Sequence, residues 1–140
     1  MIIGIGVDLI EVERVESLLR RHAERARERI FTAAEVEHCG GSRHPAESFA
    51  ARFAAKEAVF KALGTGWTGG VAWREVEVLS KPGGAPVLRL LGRTGRFASE
   101  RGVSRAHISL THTRDLAGAY VVLEGDPEDA AAGVARLSQP

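Results

Sequence analysis

The sequence predicts an α+β fold, an antiparallel β-sheet packed with one long central helix. Three observations carry that expectation. Strand, helices and strands follow one another in that order, which segregates helix from sheet along the chain. Apolar residues recur at helical spacing between Pro45 and Leu63. From Trp73 onward, short β-rich runs are separated by turn residues such as Lys81-Pro82-Gly83-Gly84.

Length and composition bound the answer. The chain has 140 residues, 44% hydrophobic and 26% charged at a net charge of +1, enough for one domain with a real core. The domain is expected over residues 1–124, with a flexible Asp-, Ala- and Pro-rich tail over residues 125–140. No apolar run approaches the roughly 18 residues of a membrane span. Met1-Ile2-Ile3-Gly4 lacks the basic start of a secretory signal, so a cytoplasmic protein is expected. A single cysteine, Cys39, excludes an internal disulfide and a cysteine-rich zinc site, and is read as a structural or incidental thiol. The near-neutral total gives no support for a general nucleic-acid binder.

The run Ile2 to Ile10 reads as a buried strand. Gly4 and Gly6 let something approach its backbone closely. Asp8 near its end is either a cap for the next helix or a metal ligand. A first helix follows over Glu11 to Arg29, with Val15, Leu18, Leu19, Ala26 and Ile30 facing inward. Arg14, Arg21 and Arg25 fall within about 40° of one another on a different face, at 100° per residue. Such a mixture of arginines and glutamates is commonly a solvated face; aligned guanidinium groups also suit an acidic partner helix. Thr32-Ala33-Ala34-Glu35 has capping-box spacing and starts a short helix that Gly40-Gly41-Ser42 breaks.

The central helix opens at His44-Pro45 and stops at Gly64. Phe49, Phe53, Phe60 and Leu63 fall within about 80° of arc, an amphipathic core face. Lys56 lies in the middle of that arc, where it would bury its methylenes and extend its ammonium to water. Glu57 and Lys61 flank the arc on one side, four residues apart, and Arg52 on the other. Such an i, i+4 pair is often only a solvated contact. Gly64-Thr65-Gly66-Trp67-Thr68-Gly69-Gly70 is a glycine-rich loop able to offer backbone N–H groups to phosphate, though it lacks the phosphate-loop lysine. Beyond it, Trp73 to Leu79 and Pro86 to Leu91 predict a hairpin, and Gly92 to Arg101 a short helix ended by Gly102. Ala106 to His112 and Leu116 to Leu123 predict two more strands. Ser109 and His112 are not a nucleophile–base pair: three strand residues span about 10 Å and the two side chains point to opposite faces.

Ile5-Gly6-Val7-Asp8 and Phe53-Ala54-Ala55-Lys56-Glu57-Ala58-Val59-Phe60-Lys61 resemble the two signature motifs of the 4′-phosphopantetheinyl transferases. Arg52, the continuation through Lys61-Ala62-Leu63-Gly64-Thr65-Gly66, Phe31 to Glu35, Trp73 to Val78, Gly84-Ala85-Pro86 and Ile108-Ser109-Leu110-Thr111-His112 resemble, in order, the holo-acyl-carrier-protein synthase branch. Thr111 stands where that branch usually has serine and keeps the hydroxyl. The resemblance covers about residues 1 to 124.

It implies transfer of the phosphopantetheine arm of coenzyme A to a serine of an apo acyl carrier protein, with release of adenosine 3′,5′-bisphosphate. It further implies Asp8 and Glu57 as ligands of Mg²⁺ and Asp8, Glu57 and Lys61 as the catalytic set. Arg52, Lys61, Gly64, Thr65, Gly66 and His112 would contact coenzyme A, and Arg14, Arg21 and Arg25 an acidic carrier protein. Glu57, or a metal-bound water, would accept the serine proton. A homotrimer with sites between subunits is expected, without nucleic acid or membrane. The reading of another class is a non-catalytic module that binds coenzyme A or a nucleotide. Two unpaired acids argue against it, since a pure polyphosphate binder gains little from them.

Overall fold

The computed structural model describes residues 1–66 and 69–126. The chain runs through β1 (Ile2–Glu11), α1 (Val12–Ile30), α2 (Ala33–Gly40), α3 (Pro45–Leu63), a 3₁₀ turn (Trp73–Glu75), β2 (Val76–Ser80), β3 (Pro86–Leu90), α4 (Gly92–Glu100), β4 (Arg105–His112) and β5 (Leu116–Glu124). Strands β1, β5 and β4 form an antiparallel sheet in that order, and β2 and β3 form a separate hairpin. This is the expected α+β arrangement. The tail beyond residue 126 and the Trp67-Thr68 part of the glycine-rich loop lie outside the described residues.

Helix α3 holds the molecule together because two of its faces are apolar for different reasons. Its aromatic face packs on α2 and the 3₁₀ turn: Phe31 meets Phe49 edge-on at 5.0 Å, and Trp73 sits between Phe53 and Phe60, each at 5.0 Å. Its other face is small, with Ala54 and Ala58 fully buried. Alanine there lets the helix backbone approach β1 closely. A methyl group at Gly6 would lie 1.8 Å from the Ala58 carbonyl oxygen, and one at Gly4 would lie 2.0 Å from that of Ala62. The close approach expected at these glycines is therefore made by α3. The helix is thus buried on both faces rather than amphipathic, since alanines occupy the side where a surface helix would carry charge. Gly64 ends it with φ of 73°, a left-handed conformation that glycine adopts without strain.

Three other expectations change. First, β1 is buried on one face only: Ile2, Ile5, Val7 and Leu9 are exposed on the other. Second, α1 is interrupted at Ala23 (φ 33°, ψ −118°), so a single 100° phase does not carry from Arg14 and Arg21 across to Arg25. All three arginines are exposed, but they do not form one continuous helical row. Third, Trp73–Glu75 is a 3₁₀ turn and not strand. Glu75 turns its carboxylate onto the start of α4, accepting from the Arg93 and Thr94 amides and the Thr94 hydroxyl at 2.7–3.2 Å. That caps the otherwise unsatisfied first-turn donors of α4.

Candidate active site

The site is built on the two edges of α3 that lie between its aromatic and alanine faces. On one edge stand Glu57 and Lys61, beside the end of β1. Lys61 donates to the Asp8 carboxylate at 2.9 Å and to the Val7 carbonyl at 3.0 Å. The i, i+4 partner expected for Glu57 is thus engaged with Asp8. Asp8 itself does not cap α1; the cap position is Glu11. Its side chain is 14% exposed, and that of Lys61 is 52% exposed. Burial pushes the Glu57 carboxyl above its usual range, and the neighbouring Asp8 adds to the rise; Lys61 and Arg14 oppose it. Asp8, Glu57, Lys61 and Arg14 therefore form one electrostatic unit.

Two mutually repelling carboxylates, of which only Asp8 is paired with the exposed Lys61, make a cation-seeking arrangement. Among the described residues no group of three or more His, Cys, Asp or Glu could hold a metal. Two hard oxygen donors nonetheless fit Mg²⁺, which keeps several waters and completes its shell with substrate phosphate oxygens. A buried fixed cage is not what that ion needs.

On the opposite edge of α3 a cavity of about 390 Å³ opens, lined by Arg43, His44, Ser48, Arg52, Ser80 and His112 among others. Arg52 is buried. Its terminal nitrogens donate to the Ser48 hydroxyl at 3.1 Å and the Ser80 hydroxyl at 3.2 Å, while Nε has no partner among the described residues. His112, at the end of β4, meets Glu47 from the first turn of α3 with Nδ1 3.0 Å from Oε2. The fold thus brings Arg52 and His112 into one cation-rich cavity. Arg43, His44, Ser48 and Ser80 join them in its lining, and Glu47 stands beside His112. Arg43, Ser48 and Glu47 had no sequence signal beyond lying near His44-Pro45 at the helix start, and Ser80, which arrives from the hairpin, had none. Gly64, Thr65 and Gly66 follow Lys61 at the end of α3 and do not line this cavity; the Thr65 hydroxyl is turned back on the loop, donating to the Gly66 carbonyl at 2.7 Å.

Lys56 lies elsewhere. Its ammonium is fully buried and does not extend to water: it donates to Glu35 at 2.8 Å, to the Trp73 carbonyl at 2.9 Å and to the Val76 carbonyl. Glu35 completes the capping box with Thr32 and accepts the Val78 amide at 3.0 Å. Burial pulls the Lys56 pKa down, and the Glu35 charge pushes it back up. Lys56 is a tie between α2, α3 and β2. Cys39 is buried as well, with the Ser48 hydroxyl 3.3 Å from its sulfur, in keeping with a structural thiol.

The model of the 4′-phosphopantetheinyl transferase superfamily matches residues 4–121. The chain belongs to that superfamily. Within it, the chain groups with the holo-[acyl-carrier-protein] synthases. The synthase of Desulforudis audaxviator is 48% identical over 128 residues, covering 91% of this chain and 97% of that protein. The crystal structure of the synthase from Neisseria meningitidis superposes with a TM-score of 0.82 at 33% identity, covering 89% of this chain and 99% of that one. The synthase from Bacillus anthracis, solved in complex with CoA (3′,5′-ADP), gives a TM-score of 0.74 at 36% identity over 90% of this chain and 99% of that one. As a holo-[acyl-carrier-protein] synthase the chain is an enzyme.

Proposed function

We propose that this synthase moves the phosphopantetheine arm of coenzyme A to a serine of an acidic apo acyl carrier protein in an Mg²⁺-dependent reaction. The observation that carries the reading is the grouping of Asp8, Glu57 and Lys61 at one edge of α3, with a cation-lined cavity at the other. The carrier serine oxygen bonds to the phosphorus that bears the pantetheine arm. The bridging P–O bond of the pyrophosphate breaks, and adenosine 3′,5′-bisphosphate leaves with the bridging oxygen. No nucleophile from this chain is required.

Asp8 and Glu57 would hold Mg²⁺, which when bound offsets charge on the pyrophosphate. Lys61 is exposed enough to shift from Asp8 to a pyrophosphate oxygen. The serine proton passes to the carboxylate pair, on Glu57 directly or through water. Arg52 and His112 contact the nucleotide end, and the Gly64–Thr65–Gly66 backbone passes near the ligand. Arg14, electrostatically coupled to Glu57, joins Arg21 and Arg25 in steering the acidic carrier, an attraction that weakens with salt.

The enzyme acts as a homotrimer whose sites span two chains. Glu57 and Arg52 lie about 7.5 Å apart along α3 and point about 140° apart around it, so one coenzyme A is not naturally embraced by both from a single chain. Exposed Ile5, Val7, Leu9 and Tyr120 give the outer face of the sheet an apolar patch for subunit contact. No described helix is long and apolar enough to cross a membrane, and we assign the enzyme to the cytoplasm, supplying carrier for fatty acid synthesis. The test follows adenosine 3′,5′-bisphosphate release during an Mg²⁺ titration. Release should rise with the metal and stop with EDTA; metal-independent release would remove Mg²⁺ from the account.

A further inference from the structure

We infer that Glu47 is a positioning residue for the nucleotide end of coenzyme A: it holds the His112 ring so that Nε2–H is presented to the 3′-phosphate. This rests on the assignment of His112 to that end of the ligand. A carboxylate beside a polyphosphate site ordinarily repels the ligand, yet Glu47 sits directly against His112, a wall residue of the cation-lined cavity. Its charge is committed: Oε2 lies 3.0 Å from His112 Nδ1. The Glu47 side chain is 17% exposed while that of His112 is 49% exposed, so the carboxylate is set behind the ring and the ring faces outward.

The tautomer logic follows from this contact. With Nδ1 donating to Glu47, Nε2 is the atom left for a ligand. A neutral ring would then offer phosphate only a lone pair, whereas the imidazolium donates at both nitrogens. Glu47 fixes the ring plane and keeps Nε2 turned to the ligand side. The placement is cheap for the fold, because Glu47 lies in the first turn of α3, where a negative charge meets the positive end of the helix dipole. Arg43 lines the same cavity and adds positive charge there, and His44 lines it as well.

The test compares coenzyme A with 3′-dephospho-coenzyme A as donors for the wild type, Glu47→Ala, Glu47→Gln, His112→Ala and the Glu47→Ala/His112→Ala double variant. Glu47→Ala should raise KM for coenzyme A about tenfold, the loss of one charge-assisted hydrogen bond, with the change falling on KM more than on kcat. Its KM for the dephospho donor should move far less. The double variant should be no worse than His112→Ala, because both act through one ring. Glu47→Gln, which keeps an acceptor but not the charge, should fall between and guards against a folding defect. A wild-type donor preference in Glu47→Ala, with His112→Ala impaired, would overturn the role of Glu47 alone. A wild-type donor preference in His112→Ala would overturn the assignment of His112 on which it rests.

Discussion

Glu57 bears an electrostatic cost in the folded state. Its carboxyl is raised by burial and by Asp8, so the folded state holds the proton more tightly than the unfolded chain. Its ionisation therefore costs stability. That cost is absent below about pH 4, grows as pH rises through the raised folded value, and is complete above it. Glu57→Gln should thus melt a few degrees above the wild type at neutral pH in metal-free buffer, with the difference vanishing near pH 4. Thermal unfolding at both pH values checks this; a neutral-pH variant no more stable than the wild type would contradict it. From its local pattern Asp8 was a carboxylate near the end of an apolar strand with cap and ligand equally open, and only the resemblance of Ile5-Gly6-Val7-Asp8 favoured the ligand. Structure decides against the cap because α1 begins at Val12, four residues on. Glu47 gave no such signal, since its partner His112 lies on the other side of the chain.

At the scale of elements, Lys56 shows how a one-dimensional pattern names an anomaly without resolving it. Helical spacing placed a lysine within the aromatic stripe, but its partners come from Glu35, Trp73 and Val76, none on its own helix. Glu35 was visible as a capping-box residue; its second task was not. Removing one member of such a buried pair leaves the other charge uncompensated, at about 3–5 kcal/mol. Lys56→Met should lose that much in urea unfolding, and Lys56→Met/Glu35→Gln should recover part of it. A loss below about 1 kcal/mol in the single variant would show the pair to be solvated. The Trp73–Glu75 stretch mimicked strand alternation, yet the demand of the α4 N-terminus for an acceptor captured Glu75 and turned the chain. Nothing in His22-Ala23-Glu24, lacking glycine and proline, announced the break in α1.

For the whole molecule, most of the fold was readable because each strand carries its own turn signals and α3 its own start and stop. Helical spacing already set Arg52 and Glu57 on opposite flanks of α3; what the sequence could not show was what meets each flank, the end of β1 beside Glu57 and the Ser80 and His112 side chains beside Arg52. A shared site makes a direct prediction. Glu57→Gln protein mixed with His112→Ala protein, after subunit exchange, should regain activity above either alone, and light scattering should give a mass near three times 15.0 kDa. Monomeric mass together with absent complementation would place the whole site in one chain. The measurement that most directly tests the central account is the intact mass of an apo acyl carrier protein after incubation with this enzyme, coenzyme A and Mg²⁺. The wild type should add about 340 Da, one phosphopantetheine by its formula, and lose that gain with EDTA, while well-folded Asp8→Asn and Glu57→Gln add nothing. An unmodified carrier with the wild type, or full modification by either variant, would contradict it.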